Sequence, residues 1–278
     1  MEKFLVSQKT ELTTLLRVTF GEQLTYGSLM KLYRKKDIKV NGKRVSYNCE
    51  LNVGDLVEVY FQPKAAYLSI IYQDENLLVL NKPKGKSSDE FYNQVKGEFP
   101  TAIYTHRLDT NTSGIIMFAL NQEAYEQLFN GFKNRTFEKY YYCLVNGVPK
   151  KQSALLSDYM FKDAKKGIAI VYSNKVKGSL PIQTEYQVVK SGKQSAVLKV
   201  KLITGRTHQI RAHLAYHGHF IIGDGKYGDE RINKQFRERS QLLISGETIL
   251  RFNESSKLYY LNGKKFTAPC ESVFEKLR

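Results

Sequence analysis

An apolar run, Ile115-Ile116-Met117-Phe118-Ala119, directly follows the polar stretch His106-Arg107-Leu108-Asp109-Thr110-Asn111-Thr112-Ser113-Gly114. The run has the length of a buried strand. The residues before it disfavour a continued strand and predict a loop held by its own side-chain hydrogen bonds. With Ile103-Tyr104 as a short strand on its other side, that loop presents polar groups at a sheet edge, where rigidly placed loops carry chemistry. The unit requires a sheet, and strand patterns recur at Leu68–Tyr72, Leu77–Leu80, Phe137–Val145, Gln183–Lys190 and Ser195–Leu202. Helical patterns interrupt them irregularly. One spans Ser88–Gly97, and another is capped by Asn121 with a stripe of Ala124, Leu128, Phe129 and Phe132. Strands in runs with scattered helices predict an α+β fold with a mostly antiparallel mixed sheet and flanking helices, rather than a doubly wound one.

Residues 1–62 read as a separate module. Leu12, Leu15 and Leu16 predict one amphipathic helix, and Leu29, Met30, Leu32 and Tyr33 a second. Ile38-Lys39-Val40 and Lys43-Arg44-Val45 flank Asn41-Gly42, a strong hairpin signal. Gly54-Asp55 is a turn before the strand Leu56–Phe61. Lys31, Arg34, Lys35, Lys36, Lys39, Lys43 and Arg44 face a single acid, Asp37, in this segment, an electrostatic footprint for phosphate. Gln62-Pro63-Lys64-Ala65-Ala66 is the candidate linker to a second domain at 67–278. The whole chain carries a net charge of +16, which points to a polyanionic partner, nucleic acid before a membrane surface. No apolar run approaches the roughly 18 residues of a spanning helix. The N-terminus breaks its apolar stretch too early for a signal peptide. Cys49, Cys143 and Cys270 are scattered and odd in number, as expected for a protein of the reducing cytoplasm.

A second polar motif, Thr204-Gly205-Arg206-Thr207-His208-Gln209-Ile210-Arg211, opens a helix with Thr207 as N-cap, Ile210 and Leu214 inward and Gly218 as stop. Together with HRLD-x-x-TSG at 106–114 and the downstream Gly223-Asp224-Gly225-Lys226-Tyr227-Gly228, it resembles the signature blocks of the RluA-type RNA pseudouridine synthases. The sequence IIYQDENLLVLNKPKG at 70–85 is similar to the opening of that family's catalytic domain. The order helix, helix, KVNGKRV hairpin and GD-turn strand is similar to an S4 RNA-binding domain. Three segments depart from the family pattern. Lys86-Ser87-Ser88 stand where an apolar residue and a His are usual, Thr110-Asn111 replace an Arg-Asp pair, and Leu242-Leu243-Ile244-Ser245 replace a Leu-His-Ala strand.

The resemblance implies an enzyme that isomerises uridines of structured RNA, ribosomal or transfer, to pseudouridine. It implies no cofactor, and the protein is expected to be a monomer. Asp109 falls on the catalytic aspartate, Arg211 on its partner, and Tyr141 on the tyrosine of the family's Lys-x-Tyr pattern at Lys139-Tyr140-Tyr141. Tyr140 and Tyr142 point to the other sheet face and read as packing residues. Arg107 is the family residue that fills the vacated stack or binds the neighbouring phosphate when a base flips out. Arg206 and His208 are assigned to RNA contacts beside it. A competing class is an RNA-binding protein that has kept the fold without turnover; the complete set Asp109, Tyr141 and Arg211 speaks against it. A second rival is zinc chemistry, since His213-x-x-x-His217 puts two imidazoles on one helical face with Asp224 as a possible further ligand. One His pair without a Cys or Glu motif is weak support, and no metal is assigned. The tail is expected to hold a basic helix (Arg231, Lys234, Arg237, Arg239) and strands at Leu242–Ile244, Thr248–Phe252 and Leu258–Leu261. Residues 148–181, rich in Lys, Ser and Gly, are expected to be a mobile excursion with one hairpin.

Overall fold

The computed structural model describes residues 1–278 except 22, 23, 25 and 62–67, so the expected linker lies outside the described residues. The chain divides into two compact units, Met1–Tyr67 and Leu68–Arg278.

In the first unit, β1 (Glu2–Leu5) and β2 (Thr10–Glu11) precede α1 (Leu12–Phe20) and α2 (Tyr26–Lys35). Four short strands follow: β3 (Ile38–Val40), β4 (Lys43–Val45), β5 (Glu50–Leu51) and β6 (Leu56–Val59). The sheet order is β1-β6-β3-β4, with β2 paired to β5. Asn41 and Gly42 both have positive φ, 49° and 76°, which the two-residue turn between β3 and β4 requires and which Asn and Gly adopt at least cost. Asn41 also accepts from the Leu56 amide and donates to Asp55, locking the hairpin to β6. The helices bury Leu12, Leu16, Leu29, Leu32 and Tyr33 against Ile38, Val57 and Val59. This leaves Lys31, Arg34, Lys35, Lys36, Lys43 and Arg44 exposed, with Lys39 half-buried and its ammonium 5.4 Å from the Tyr60 ring centre.

The second unit opens with β7 (Ile70–Gln73), β8 (Leu77–Lys82), α3 (Ser88–Glu98), β9 (Ile103–Tyr104), β10 (Ser113–Ala119) and α4 (Gln122–Asn134). It continues through β11 (Glu138–Asn146), β12 (Ser153–Asp163), β13 (Ile168–Tyr172), β14 (Leu180–Ser191) and β15 (Ser195–Leu202). Two helices, α5 (Gln209–Tyr216) and α6 (Glu230–Gln235), then β16 (Leu243–Ile249), β17 (Lys265–Thr267) and α7 (Glu271–Glu275) complete it. The strands form one sheet in the order β13-β12-β14-β15-β11-β16-β10-β8-β7, with β9 and β17 added on β10 and β16. All pairs are antiparallel except β10 with β16, so the α+β architecture with a mixed, mostly antiparallel sheet is the one observed. Both faces of β8 and β10 are covered. Leu78, Leu80, Ile116 and Phe118 pack with Phe91 and Val95 of α3, while Leu77, Val79, Ile115 and Met117 pack with Ala124 and Leu128 of α4. That double burial is why these strands read as continuous apolar runs rather than alternating ones.

Several local expectations are corrected. Residues 148–181 hold the expected hairpin, β12 with β13, but it is no excursion from the fold: β12 also pairs with β14 from Ser153↔Gln187 to Met160↔Leu180, extending the central sheet. Their Lys and Gly residues gather in the turns, at Lys165-Lys166-Gly167 and between Lys175 and Gly178, which disguised the strands in composition, while Met160 and Val171 are buried. The tail strands predicted at Leu242–Ile244 and Thr248–Phe252 are one strand, β16. The segment predicted as a strand at Leu258–Leu261 contains a 3-10 turn over Tyr259–Leu261. The basic helix stops at Gln235, leaving Arg237 at φ 55° and Arg239 beyond it. Finally, α5 has His208 rather than Thr207 at its N-cap. No side chain caps this helix; the Gln209 side-chain oxygen instead holds the preceding loop, accepting from the Arg206 amide and the Thr204 hydroxyl.

Candidate active site

The loop carrying Asp109 is pinned at both ends. Thr105 donates to the Met117 carbonyl, and the Met117 amide donates to His106 Nε2, folding the start of the loop back onto β10. Burial pushes His106 down to about 3, so its ring is a neutral acceptor, and it packs on Phe132 at 4.1 Å between ring centres. At the exit, Gly114 lies so close to β16 that a Cβ would meet the Ser245 carbonyl oxygen at 2.2 Å, and its φ is +107°. Glycine is therefore demanded at the one place where β10 and β16 run parallel.

Two further residues hold the middle of the loop. The Ser88 hydroxyl donates to the Leu108 carbonyl and accepts from the Leu108 amide, next to Asp109. Ser87 caps α3 in a capping box with Glu90. Lys82 is fully buried at the end of β8, and its ammonium donates to the carbonyls of Pro83, Lys86 and Thr110 at 2.6–3.1 Å. Burial brings Lys82 down to about 8. Sequence reasoning gave neither a role: nothing local distinguishes Ser88 or Lys82 from a surface residue, because the bonds that tie them to the Asp109 loop span 20 and 28 positions.

Arg211 comes from the first turn of α5 and reaches Asp109 across 102 positions of chain, with Nη1 to Oδ2 at 2.9 Å. The other side of the same guanidinium forks onto Asp224, with Nε to Oδ2 at 2.7 Å and Nη2 to Oδ1 at 2.9 Å. Asp224 is fully buried and also accepts from the amides of Lys226 and Tyr227. Burial opposes ionisation of both groups, yet Asp224 is held below the usual carboxylate range by Arg211. Arg211 is raised by Asp224 first and Asp109 second. Asp224 thus fixes the orientation of Arg211 and is not available to the histidine pair. The partner of that pair is Asp158 on β12: its Oδ2 lies 2.9 Å from His213 Nε2 and 2.7 Å from His217 Nε2.

Tyr141 sits on β11 beside a bulge, opposite Ser245, which is itself opposite Gly114. The register therefore lines up Tyr141 with the end of the Asp109 loop across three strands. Tyr141 is buried, and burial pushes its phenol up to about 12. Tyr140 and Tyr142 leave on the other face, donating to Glu138 and Glu247.

Asp109, Tyr141 and Arg211 open on one cavity of about 790 Å³. Arg107, Lys139, Lys162, Arg206, Lys226 and Arg239 also line it, and Asp109 is the only acid among its described lining residues. A concave site with this balance selects a polyanion. Arg107 is exposed and paired with Asp89 at 2.9 Å. Arg206 keeps its Nε buried without a hydrogen-bond partner among the described residues. Burial, and then the charge of Arg135, lowers Lys139. His208 holds a left-handed φ of 60° and lies 3.9 Å from Asp109, with Nδ1 2.9 Å from the Tyr227 hydroxyl. The Tyr227 hydroxyl also accepts from the Ala169 amide, which ties His208 through Tyr227 to β13.

A family model described as RNA pseudouridylate synthase matches residues 76–216. The ribosomal large subunit pseudouridine synthase C of Vibrio vulnificus is 32% identical over 74% of this chain and 72% of its own length. The chain belongs to the RluA-type RNA pseudouridine synthases. The dual-specificity RNA pseudouridine synthase RluA of Escherichia coli is 31% identical over 77% of this chain and 99% of its own. The solved structure of human RNA pseudouridylate synthase domain containing 4 shares the fold, with a TM-score of 0.61 at 22% identity, over 76% of this chain and 93% of that one. Membership of the RluA-type synthases makes uridine in RNA the substrate and pseudouridine the product. The matched span contains Asp109, Tyr141 and Arg211 and ends before Asp224.

Proposed function

We propose that this synthase modifies uridines of ribosomal RNA, with Asp109 as nucleophile or base at the ribose C1′, Arg211 as its ion-pair partner and Tyr141 against the base. The observation that carries the reading is the pairing of Asp109 with an arginine already anchored on a buried carboxylate, inside a cavity whose other charged lining residues are all Lys or Arg. A nucleotide must leave its stack to bring C1′ to this depth, and Arg107, free to exchange the exposed Asp89 for a phosphate, stands at the rim. There the C1′–N1 bond breaks, the uracil turns, and C5 bonds to C1′. The proton lost from C5 is balanced by one gained at N1, so no redox or group-transfer cofactor enters. Because burial keeps Tyr141 uncharged, it assists as a neutral relay: it takes up the C5 proton only as it passes its own to solvent, from which the proton gained at N1 is made good. Arg206, whose Nε has no partner among the described residues, and His208 hold the flanking backbone.

Ribosomal RNA is favoured over transfer RNA by relatives named for the large ribosomal subunit. The first 62 residues serve as an S4-like RNA-binding domain attached to a catalytic domain at 67–278. Support comes from the two helices and basic hairpin, which leave Lys31, Arg34, Lys35, Lys36, Lys43 and Arg44 in solvent. The named catalytic residues come from one chain, so a monomer suffices. Free thiols at Cys49, Cys143 and Cys270 suit the cytoplasm. Among the described residues no helix is long and apolar enough to cross a membrane.

The test is Asp109→Asn, which keeps the shape and removes the charge. Incubated with ribosomal RNA from cells lacking the gene, wild type should form pseudouridine and the variant none, with RNA affinity nearly unchanged. Appreciable product from the variant would remove Asp109 from the chemistry.

A further inference from the structure

The C-terminal half of α5 carries a second cluster that the isomerase site does not use. His213 and His217 are four residues apart, so their rings share one face of the helix, and both aim Nε2 at the same oxygen of Asp158 on β12. The three ligand atoms lie within 4.8 Å of one another. None of the three residues lines the cavity that holds Asp109. His213 is fully buried and Asp158 nearly so, while the His217 side chain is 36% exposed.

We propose that Asp158, His213 and His217 form a binding site for a divalent transition-metal ion of the zinc class, on the side of α5 away from the uridine cavity. The donor set, two imidazoles and a carboxylate from a helix and a strand, is one that zinc accepts in tetrahedral geometry with bonds of about 2.0–2.2 Å. Ligand atoms around such an ion stand roughly 3.3–3.5 Å apart. The present separations of 2.7 and 2.9 Å from Asp158 therefore need to open by about half an ångström. Solvent reaches the cluster at His217, which leaves a direction for the ion to approach and room for a water as fourth ligand.

The surroundings suit this role. His213 Nδ1 is 2.8 Å from the Thr184 hydroxyl, which also accepts from Gln209. A hydroxyl serves either tautomer. Without metal, Nε2–H can donate to Asp158. With metal, the proton sits on Nδ1, and the freed Nε2 lone pair binds the ion. Such outer-shell partners orient ligating histidines. The ion would clamp α5 to β12, and through Thr184 and Gln209 the clamp reaches the loop at Thr204 and Arg206. The site is structural: it braces the helix that carries Arg211 and takes no part in bond making.

The experiment uses the full chain after exhaustive chelation, with Zn²⁺ alone added back, bound metal counted after dialysis and thermal unfolding followed. One equivalent of zinc should remain bound and the midpoint should rise on the order of 5 °C. His217→Ala, at a partly exposed position that should not disturb folding, should lose both effects, with affinity reduced at least tenfold. His219→Ala should keep them, because His219 faces the Asn146 carbonyl instead. Co²⁺ in place of zinc should give the strong visible absorption of a tetrahedral site in wild type and His219→Ala but not in His217→Ala. Substoichiometric zinc in wild type, zinc retained by His217→Ala, or zinc lost in His219→Ala would each overturn the site. Pseudouridine formation, measured on the same samples, should survive chelation. The isomerase reading and the metal site can thus fail separately, since one is read as product and the other as bound metal.

Discussion

At the scale of single residues, neighbouring tyrosines on β11 receive opposite duties from one backbone alternation. Tyr141 faces the cavity with Asp109, whereas Tyr142 donates to Glu247 at 2.6 Å on the far face. Tyr141→Phe keeps the ring and removes the hydroxyl, so single-turnover isomerisation should slow by about 10²-fold with the fold unchanged, as for loss of a positioned proton-transfer group. Tyr142→Phe should cost about 1.5–3 kcal/mol of stability, as for a hydrogen bond to a charged acceptor, and leave the rate alone. Rapid-quench kinetics and urea denaturation on both variants read the two effects. If Tyr142→Phe were the slow enzyme, the assignment of faces would be wrong. The departures from the family pattern also acquire a physical account here: Ser87 caps α3 and Ser88 clasps Leu108, so Lys86-Ser87-Ser88 supports the catalytic loop from behind.

At the scale of elements, the centre of the sheet is tied by one carboxylate. Glu247 on β16 receives Tyr142 from β11, Lys199 from β15 and Lys265 from β17, all within 2.6–3.0 Å. Burial works against its ionisation, but these three partners outweigh burial and bring it from 4.5 down to about 2. A carboxylate depressed in the folded state contributes stability that is complete above its unfolded value and disappears as pH falls through its folded one. The contribution should therefore fade between pH 4.5 and about 2. Glu247→Gln should be less stable than wild type near neutrality, and the gap should narrow across that window. Unfolding midpoints measured from pH 6 downward decide it, and a gap independent of pH would dismiss the ion network as a stabilising device.

At the scale of the whole molecule, the proposed function gives RNA affinity to the first unit and the chemistry to the second. The solvent-exposed basic side chains of α2 and the β3–β4 hairpin belong to the first unit, and the proposed catalytic groups all belong to the second. Replacing Lys31, Arg34 and Lys35 by Ala in the full chain should weaken RNA binding. It should also flatten the salt dependence by about 0.7 in log–log slope for each single-strand phosphate that is no longer neutralised. Turnover at saturating enzyme should persist. Affinity and slope both unchanged would deny the first unit a part in RNA binding.

Much of this protein was decided locally and could be read from the chain. Asn41-Gly42 permits the positive φ of a tight hairpin, Asn121 caps α4, Gly218 ends α5, and the apolar runs of β8 and β10 mark a sheet covered on both faces. Two motifs about a hundred residues apart were enough to indicate the chemistry, because the groups that act must sit at fixed offsets within their own loop or helix. What the chain alone could not disclose depends on approach between distant segments. Lys82 and Ser88 matter through carbonyls on another loop, Asp224 belongs to Arg211 and not to the histidines, and Asp158 reaches those histidines only because β12 joins the central sheet. A buried ammonium or carboxylate is tolerable only when its partners are in place, and the tertiary fold alone supplies them.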